Sequence, residues 1–169
     1  MTSSNGNDPA TGGSDGAARA NSFPWPPVLL IGVIVCAYVL GRAYPLPWPG
    51  LDDWPARAVG LGIGALGVGL AIWGVVTLRR HRTTVMPDGV SEVLVTAGAY
   101  RRFRNPIYLG EVMALLGIAE ITKNIWFAAA AGAFYILVTK LQIVSEERHL
   151  EARFGEAYRD YKARSRRWL

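Results

Sequence analysis

Few groups in this chain can do chemistry, and they crowd into two stretches. One is Tyr100-Arg-Arg-Phe-Arg-Asn-Pro-Ile-Tyr108; the other opens on the pair Glu146-Glu147 and runs to Tyr161. Two adjacent carboxylates at the end of an apolar run attract a cation. Pro106 suits the first turn of a helix, and Asn105 falls at its N-cap position, where a side-chain oxygen can hold free amide groups. Such a helix start collects partial positive charge and unpaired N–H donors, so next to Arg104 it can receive a carboxylate. Each stretch also has a plainer reading. The first can be a capped helix with topology-setting arginines, and the second a solvated helix face paired with Arg148 or Arg153. Glu111, one turn inside the apolar stretch after Pro106, is a third candidate, because an ionisable group within a membrane helix is a functional candidate by default; its plainer reading is a carboxylate that reaches interfacial water.

Other chemistries are poorly supplied. A single cysteine, Cys36, excludes an internal disulfide framework and a Cys-rich metal site. His81 and His149 are too few and too far apart for a zinc site, so no metal is expected. The formal charge of +5 could suggest nucleic acid. The Lys and Arg residues flank apolar runs, however, which is the pattern of topology determinants and argues for no nucleic-acid partner.

The elements that must position these groups follow from composition. Of 169 residues, 51% are hydrophobic and only 18% charged, against about 25% charged for an average soluble domain. A chain this small cannot bury several all-apolar helices against water, so the class is an integral membrane protein. Residues 1–22 are mostly Gly, Ser, Asn, Asp and Ala, with one Arg and no apolar cluster, which predicts a disordered tail; residues 23–169 form one domain. The apolar stretch from Trp25 to Gly41 has no basic region before it and no Ala-x-Ala site after it, so it reads as a retained helix and not as a signal peptide.

About 20 apolar residues cross roughly 30 Å of hydrocarbon. Four spans emerge, at about 26–42, 56–78, 106–121 and 125–144. Tyr44-Pro-Leu-Pro-Trp-Pro-Gly50 ends the first and forms an interfacial loop. The second holds Gly60 and Gly64, a spacing that suits close packing against another helix. Spans three and four, separated by Thr122, Lys123 and Asn124, make an antiparallel hairpin. Beyond span four, Leu150, Phe154, Tyr158 and Tyr161 make an apolar stripe interrupted by Gly155, an amphipathic helix for the membrane surface or the basic loop. The expected fold is thus all-α, a bundle of about four transmembrane helices with a cytosolic amphipathic C-terminal helix. Arginines concentrate in 79–105 and 145–169, while the opposite side has only Arg42, Arg57 and Lys123. Both charged segments, and both termini, belong in the cytoplasm.

Taken together, Leu94-Val-Thr-Ala-Gly-Ala-Tyr100, Arg104-Asn-Pro-Ile-Tyr-Leu-Gly110, Glu146-Glu147 and Phe154-Gly-Glu-Ala-Tyr-Arg-Asp-Tyr161 resemble the isoprenylcysteine carboxyl methyltransferase family. That family belongs with the phospholipid N-methyltransferases among integral membrane methyltransferases. The resemblance covers about Arg80 to Arg167 and implies S-adenosyl-L-methionine as cofactor on the cytosolic side. It implies that Glu92, Val93, Leu94, Val95 and Tyr100 border the cofactor. Asn105, Pro106, Ile107 and Tyr108 grip it, and Glu146 contacts it. The eukaryotic carboxyl methyltransferases have Arg-His-Pro where this chain has Arg104-Asn105-Pro106, so a base that titrates near neutrality is absent there. They also carry a substrate-linked arginine where this chain has Gln142.

The expected activity is methyl transfer to a lipophilic small-molecule or lipid-like acceptor entering from the bilayer. Arg104 and Glu147 are the catalytic candidates, Glu147 or Glu111 is the available base, and Glu111 and Gln142 are the acceptor-side candidates. The short chain suggests a bacterial inner-membrane protein. Two other readings remain: a sterol-reductase type enzyme using NADPH, and a non-catalytic packing or lipid-binding protein. Topology is testable directly. In a Cys36→Ala background, single cysteines placed in 79–104 and 148–169 should resist an impermeant thiol reagent applied to intact cells; labelling of both segments from outside would overturn the orientation.

Overall fold

The computed structural model describes residues 25–81 and 93–169. The tail expected over 1–22 therefore lies outside the described residues, as does Glu92 with most of the loop before it. The described residues form α1 (Trp25–Ala43), α2 (Trp54–Arg80), a 3₁₀ turn (Gly98–Arg101), α3 (Pro106–Thr122), α4 (Ile125–Val138), α5 (Val144–Phe154) and α6 (Glu156–Arg164). A π turn, Thr139–Ile143, joins α4 to α5 without a break. Among the described residues there is no strand, only a single parallel bridge between Phe103 and Arg166.

Each helix starts where its sequence allows. Asp53 caps α2 by accepting from the Ala56 amide at 2.9 Å, with Pro55 in the first turn. The α3–α4 hairpin turns on Lys123, in the left-handed region at φ 53°, and on Asn124, whose side chain accepts from the Trp126 amide at 3.0 Å. Lys123 is held in that turn by Glu120 and by donating to the Leu51 carbonyl at 2.7 Å. The Trp126 indole donates to the Tyr44 carbonyl at 2.8 Å. The Pro and Trp loop is thereby tied to the hairpin.

α3 and α4 lie at the centre, with α2 against α3 and α1 against α4. Phe127, Ala130, Ala131, Phe134 and Val138 of α4 build the core with Leu115 and Ala119 of α3, Ala37 of α1 and Ile143 of the π turn. The α2–α3 seam is different in kind, because backbone meets backbone. A methyl group on Gly67 would sit 2.6 Å from the Gly110 carbonyl and 2.8 Å from the Ala114 amide; one on Gly117 would sit 2.5 Å from the Gly64 Cα. The small-residue spacing at Gly60 and Gly64 thus extends along the seam through Gly67 and Gly74. With no hydrophobic drive between helices in lipid, close van der Waals contact of this kind holds them.

The structure meets the span expectation in part and corrects the C-terminal one. Among the described residues three helical stretches are long and apolar enough to cross a membrane: Pro26–Ala43, Trp54–Arg80 and Ile125–Phe154. α3 has only 17 residues and holds Glu111 and Glu120. The amphipathic helix expected after span four is two helices, α5 continuing from α4 and α6 turned off at Gly155, whose φ of 51° favours glycine. α6 buries Tyr158 and Tyr161 on the basic loop, where the Tyr161 hydroxyl donates to the Tyr100 carbonyl at 2.7 Å.

The seam makes a clear prediction. Gly67→Ala should destabilise the protein by about 1 to 3 kcal/mol, the usual range for overpacking. Gly69→Ala, with nothing within 4 Å of the added methyl, should stay within about 1 kcal/mol of wild type. Denaturant titration in detergent micelles reads both; equal stabilities would mean that the seam is not close-packed.

Candidate functional site

The α3 N-terminus, the π turn with α5, the Tyr100 loop and the end of the chain meet at one end of the bundle. Asn105 occupies the N-cap position of α3, and its carbonyl accepts the first helical bond from the Leu109 amide at 3.0 Å. Its side chain does not cap the helix, which corrects the expectation from sequence. Instead Nδ2 donates to the Arg167 carbonyl at 3.2 Å, because the last residues run alongside this loop and compete for the amide. The Arg104 amide donates to the Arg166 carbonyl at 2.7 Å, and the Arg166 amide to the Arg102 carbonyl at 2.9 Å. The chain end is strapped across the start of α3.

Arg104 and Glu147 come together as the sequence nominated them, but with partners it did not reveal. Arg104 Nε donates to Glu147 Oε1 at 3.2 Å, while Nη1 donates to the carbonyls of Lys162 at 3.0 Å and Ser165 at 2.6 Å. Arg167 grips the same carboxylate with Nε at 2.9 Å from Oε1 and Nη2 at 2.5 Å from Oε2. Glu147 is buried, and both of its oxygens are spoken for. The carboxylate in turn holds the Arg167 guanidinium above its ordinary range, chiefly through the hydrogen bond. Arg148 and Arg153, the local partners open to a solvated helix, are not the ones used.

Glu146 faces elsewhere, since successive helical residues point about 100° apart. Its Oε1 accepts from Gln142 Nε2 at 2.7 Å and from the Tyr108 hydroxyl at 3.3 Å. No hydrogen bond reaches its other oxygen among the described residues. Gln142 is 2% exposed, and its own Oε1 is sealed with no partner among the described residues. Glu111 Oε2 is sealed likewise, with none among those residues. Tyr108 lies within Coulombic range of Glu146, Glu111 and Tyr100, so these groups form one cluster. Burial, and then the nearby charge of Glu146, push the Tyr100 phenol well above its ordinary range. Tyr161, under the loop, is pushed up to about 12 by burial. At neutral pH both are hydroxyl donors.

The remaining nominated residues divide. Pro106 is buried and Ile107 half-buried at the start of α3, in contact with α2 at Gly74. Val95 is 8% exposed, Leu94 half-buried, and Val93 points outward at 51% exposed. Glu92 lies outside the described residues. The groups that sequence reasoning missed are Arg167, Ser165 and Trp168. The Trp168 ring meets that of Tyr135 with centroids 4.6 Å apart. Arg167 and Trp168 meet Glu147 and Tyr135, far back along the chain, and the only signal was an arginine and a tryptophan in a basic tail.

The arrangement offers a partly open carboxylate oxygen and two sealed acceptor oxygens to a cationic or N–H-bearing ligand. First-turn amides of α3, which have no intrahelical partner, lie alongside. A nickel-cobalt-cadmium resistance protein, NccN, from Alcaligenes xylosoxydans xylosoxydans is 28% identical over 137 residues, covering 81% of this chain and 59% of the relative. The cobalt-zinc-cadmium resistance protein CzcN of Cupriavidus metallidurans is 29% identical over 105 residues, covering 62% of this chain and 46% of the relative. An uncharacterized protein of Haemophilus influenzae is 35% identical over 63 residues, 37% of this chain and 79% of that one. The chain spans about half the length of the two resistance proteins. No solved structure matches it. The phospholipid methyltransferase family matches residues 55–157, a stretch that holds α2, the hairpin and the Tyr100–Tyr108–Glu111–Gln142–Glu146 cluster. By that match, and by its three apolar helices, the chain is an integral membrane protein belonging to the phospholipid methyltransferase family.

Proposed function

We propose that this protein is an S-adenosylmethionine-dependent methyltransferase acting on a lipophilic acceptor at the cytosolic membrane face. The observation that carries the reading is the family match across the whole carboxylate and tyrosine cluster. The cluster also suits the cofactor chemically. Glu146 and the Gln142 carbonyl oxygen can take a positively charged amino group or lie near a sulfonium. The α3 amides, flanked by Asn105, can take a carboxylate. Tyr100 and Tyr108 can pack on an adenine or a sulfonium.

When bound, the cofactor supplies a methyl group on a positively charged sulfur, already activated for in-line displacement. The chain's own residues then need chiefly to position and to exclude water. Gln142 and Tyr108 fix the Glu146 carboxylate through one oxygen and leave the other for the ligand. In this assignment Arg104, Glu147 and Arg167 act as a strut that holds the loop, α5 and the chain end in register. α3 makes the fourth crossing alongside α4, and the acceptor reaches the cluster from the bilayer. The arginines concentrated in 79–105 and 145–169 support a setting with both termini cytoplasmic.

Calorimetry in detergent with S-adenosylmethionine, S-adenosylhomocysteine and NADPH tests the reading. The first two should bind and NADPH should not; the reverse would favour a reductase, and binding of none would favour a packing protein. Glu146→Ala should weaken S-adenosylmethionine binding by about 2 to 5 kcal/mol, the range for removing one partner of a buried charge pair. Equal affinity in a folded Glu146→Ala protein refutes the assignment.

Glu147→Ala should fail differently. It takes the carboxylate from two guanidinium groups and costs about 3 to 5 kcal/mol of stability, read as a lowered thermal midpoint. Glu151→Ala, which breaks only the half-exposed pair with Lys162, should cost about 1 kcal/mol or less. Similar midpoints for the two variants would remove the strut.

A further inference from the structure

A groove of about 470 Å³ lies at the end of the bundle opposite the cluster. Along α3, Tyr108 and Glu120 are twelve residues apart, about 18 Å at the helical rise. α2 and α4 each pack on α3, and the groove is the angle left between them under the Pro and Trp loop. Val59 and Ile63 of α2, Leu116 of α3 and Ala128 of α4 line it, with Trp48 and Leu51 from the loop. Val59 is 61% exposed and Leu116 42%, so the groove opens sideways from the span. Glu120 is its one charged wall residue, laid over Gly60, where an added methyl group would collide with the Glu120 side chain. Lys123 pairs with Glu120 and lies 4.0 Å from Asp52, whose Oδ1 accepts from Arg57 Nε at 3.1 Å and Nη2 at 2.8 Å. The rim thus carries two acids and two bases, and their charges cancel. The Trp48 indole N–H is shielded from water with no acceptor among the described residues, a costly state for a donor.

We propose that this groove holds an acyl chain of one bilayer phospholipid with a zwitterionic headgroup, at a site separate from the cluster. Position and charge together name the occupant. An apolar slot that opens from the side of a membrane span meets hydrocarbon chains. Tyr44, Trp48 and Trp54 gather at its loop end, the residue types that sit at headgroup level, so the chain that enters there belongs to a lipid of that leaflet. An ester carbonyl of that lipid accepts from the Trp48 indole. The phosphate lies beside Arg57, whose Nη1 no hydrogen bond engages among the described residues, and the ammonium beside Asp52, whose Oδ2 is equally unengaged. An anionic lipid would bring the phosphate without the ammonium, adding a charge to a rim whose two bases are already paired. The site requires only that α2 and α4 cross the membrane, and it stands whether or not a methyl group is transferred at the other end.

The test is native mass spectrometry of the full chain, stripped of lipid in detergent and titrated with dioleoylphosphatidylcholine or dioleoylphosphatidylglycerol. The nitrogen of phosphatidylcholine is already fully methylated, so this probe reports binding and not turnover. One phosphatidylcholine per chain should bind at least about three-fold tighter than phosphatidylglycerol. Val59→Trp and Ile63→Trp, which fill the groove, should each weaken it at least about ten-fold. Val59 is mostly exposed, so Val59→Trp decides alone if Ile63→Trp does not fold. Trp48→Phe should weaken it about two- to ten-fold, the loss of one hydrogen bond. Leu66→Trp, on α2 but outside the groove, and Glu146→Ala, at the other end of the bundle, should both stay within about two-fold of wild type. Phosphatidylglycerol binding as tightly as phosphatidylcholine, no binding of either, or affinity untouched in Val59→Trp overturns the proposal. Loss of binding in Glu146→Ala overturns it by placing the lipid in the cluster, and a lipid-free mass of two chains by making the groove a contact between copies.

Discussion

The arrangement of this end of the molecule depends on one buried carboxylate held between two arginines. Taking Glu147 out of water costs several kcal/mol by itself, and only close, well-directed donors offset that cost. Arg104 and Arg167 supply three charge-assisted hydrogen bonds to it. The partners come from the loop before α3, from α5 and from the chain end, so satisfying a single charge fixes three segments that are remote in sequence. Arg104 extends the network through the Ser165 and Lys162 carbonyls, which would otherwise end α6 unpaired.

Glu146 and Glu147 illustrate how a helix separates two identical neighbours. With about 100° between successive side chains, one carboxylate reaches the arginines and the other turns toward Tyr108 and Gln142. The π turn at Thr139–Ile143 helps set this phase, since its wider winding brings both Gln142 and Ile143 inward and buries them. Such turns recur at functional sites because an added residue rotates everything beyond it. One charge is held between arginines, and the next keeps an oxygen that no hydrogen bond reaches among the described residues.

The parts of this fold that were legible in the sequence are those governed by local rules. Span boundaries at 26–42 and 56–78 fall within a few residues of α1 and α2, because charge, proline and tryptophan mark where an apolar helix must leave lipid. The hairpin was legible from its length alone. Gly60 and Gly64 announced the seam, although its extension through Gly67 and Gly110 depends on which face of α3 meets α2, a fact no single helix contains. Tyr108, Gln142 and Glu146 were found by motif, yet their mutual hydrogen bonds were not. The strap was illegible for a physical reason. Asn105 is an excellent capping residue by type, and only the arrival of Arg167 from 62 positions away diverts its side chain.

That strap also orders events during synthesis. Chains grow from the N-terminus at about 5 to 20 residues per second, so every residue of α1 through α4 is made before Ser165. Until Arg167 is made, Arg104 is the one arginine of the pair that Glu147 can reach, and without Arg166 the Phe103–Arg166 bridge cannot form. The growing chain therefore holds all the residues of its helical core while it still lacks the latch.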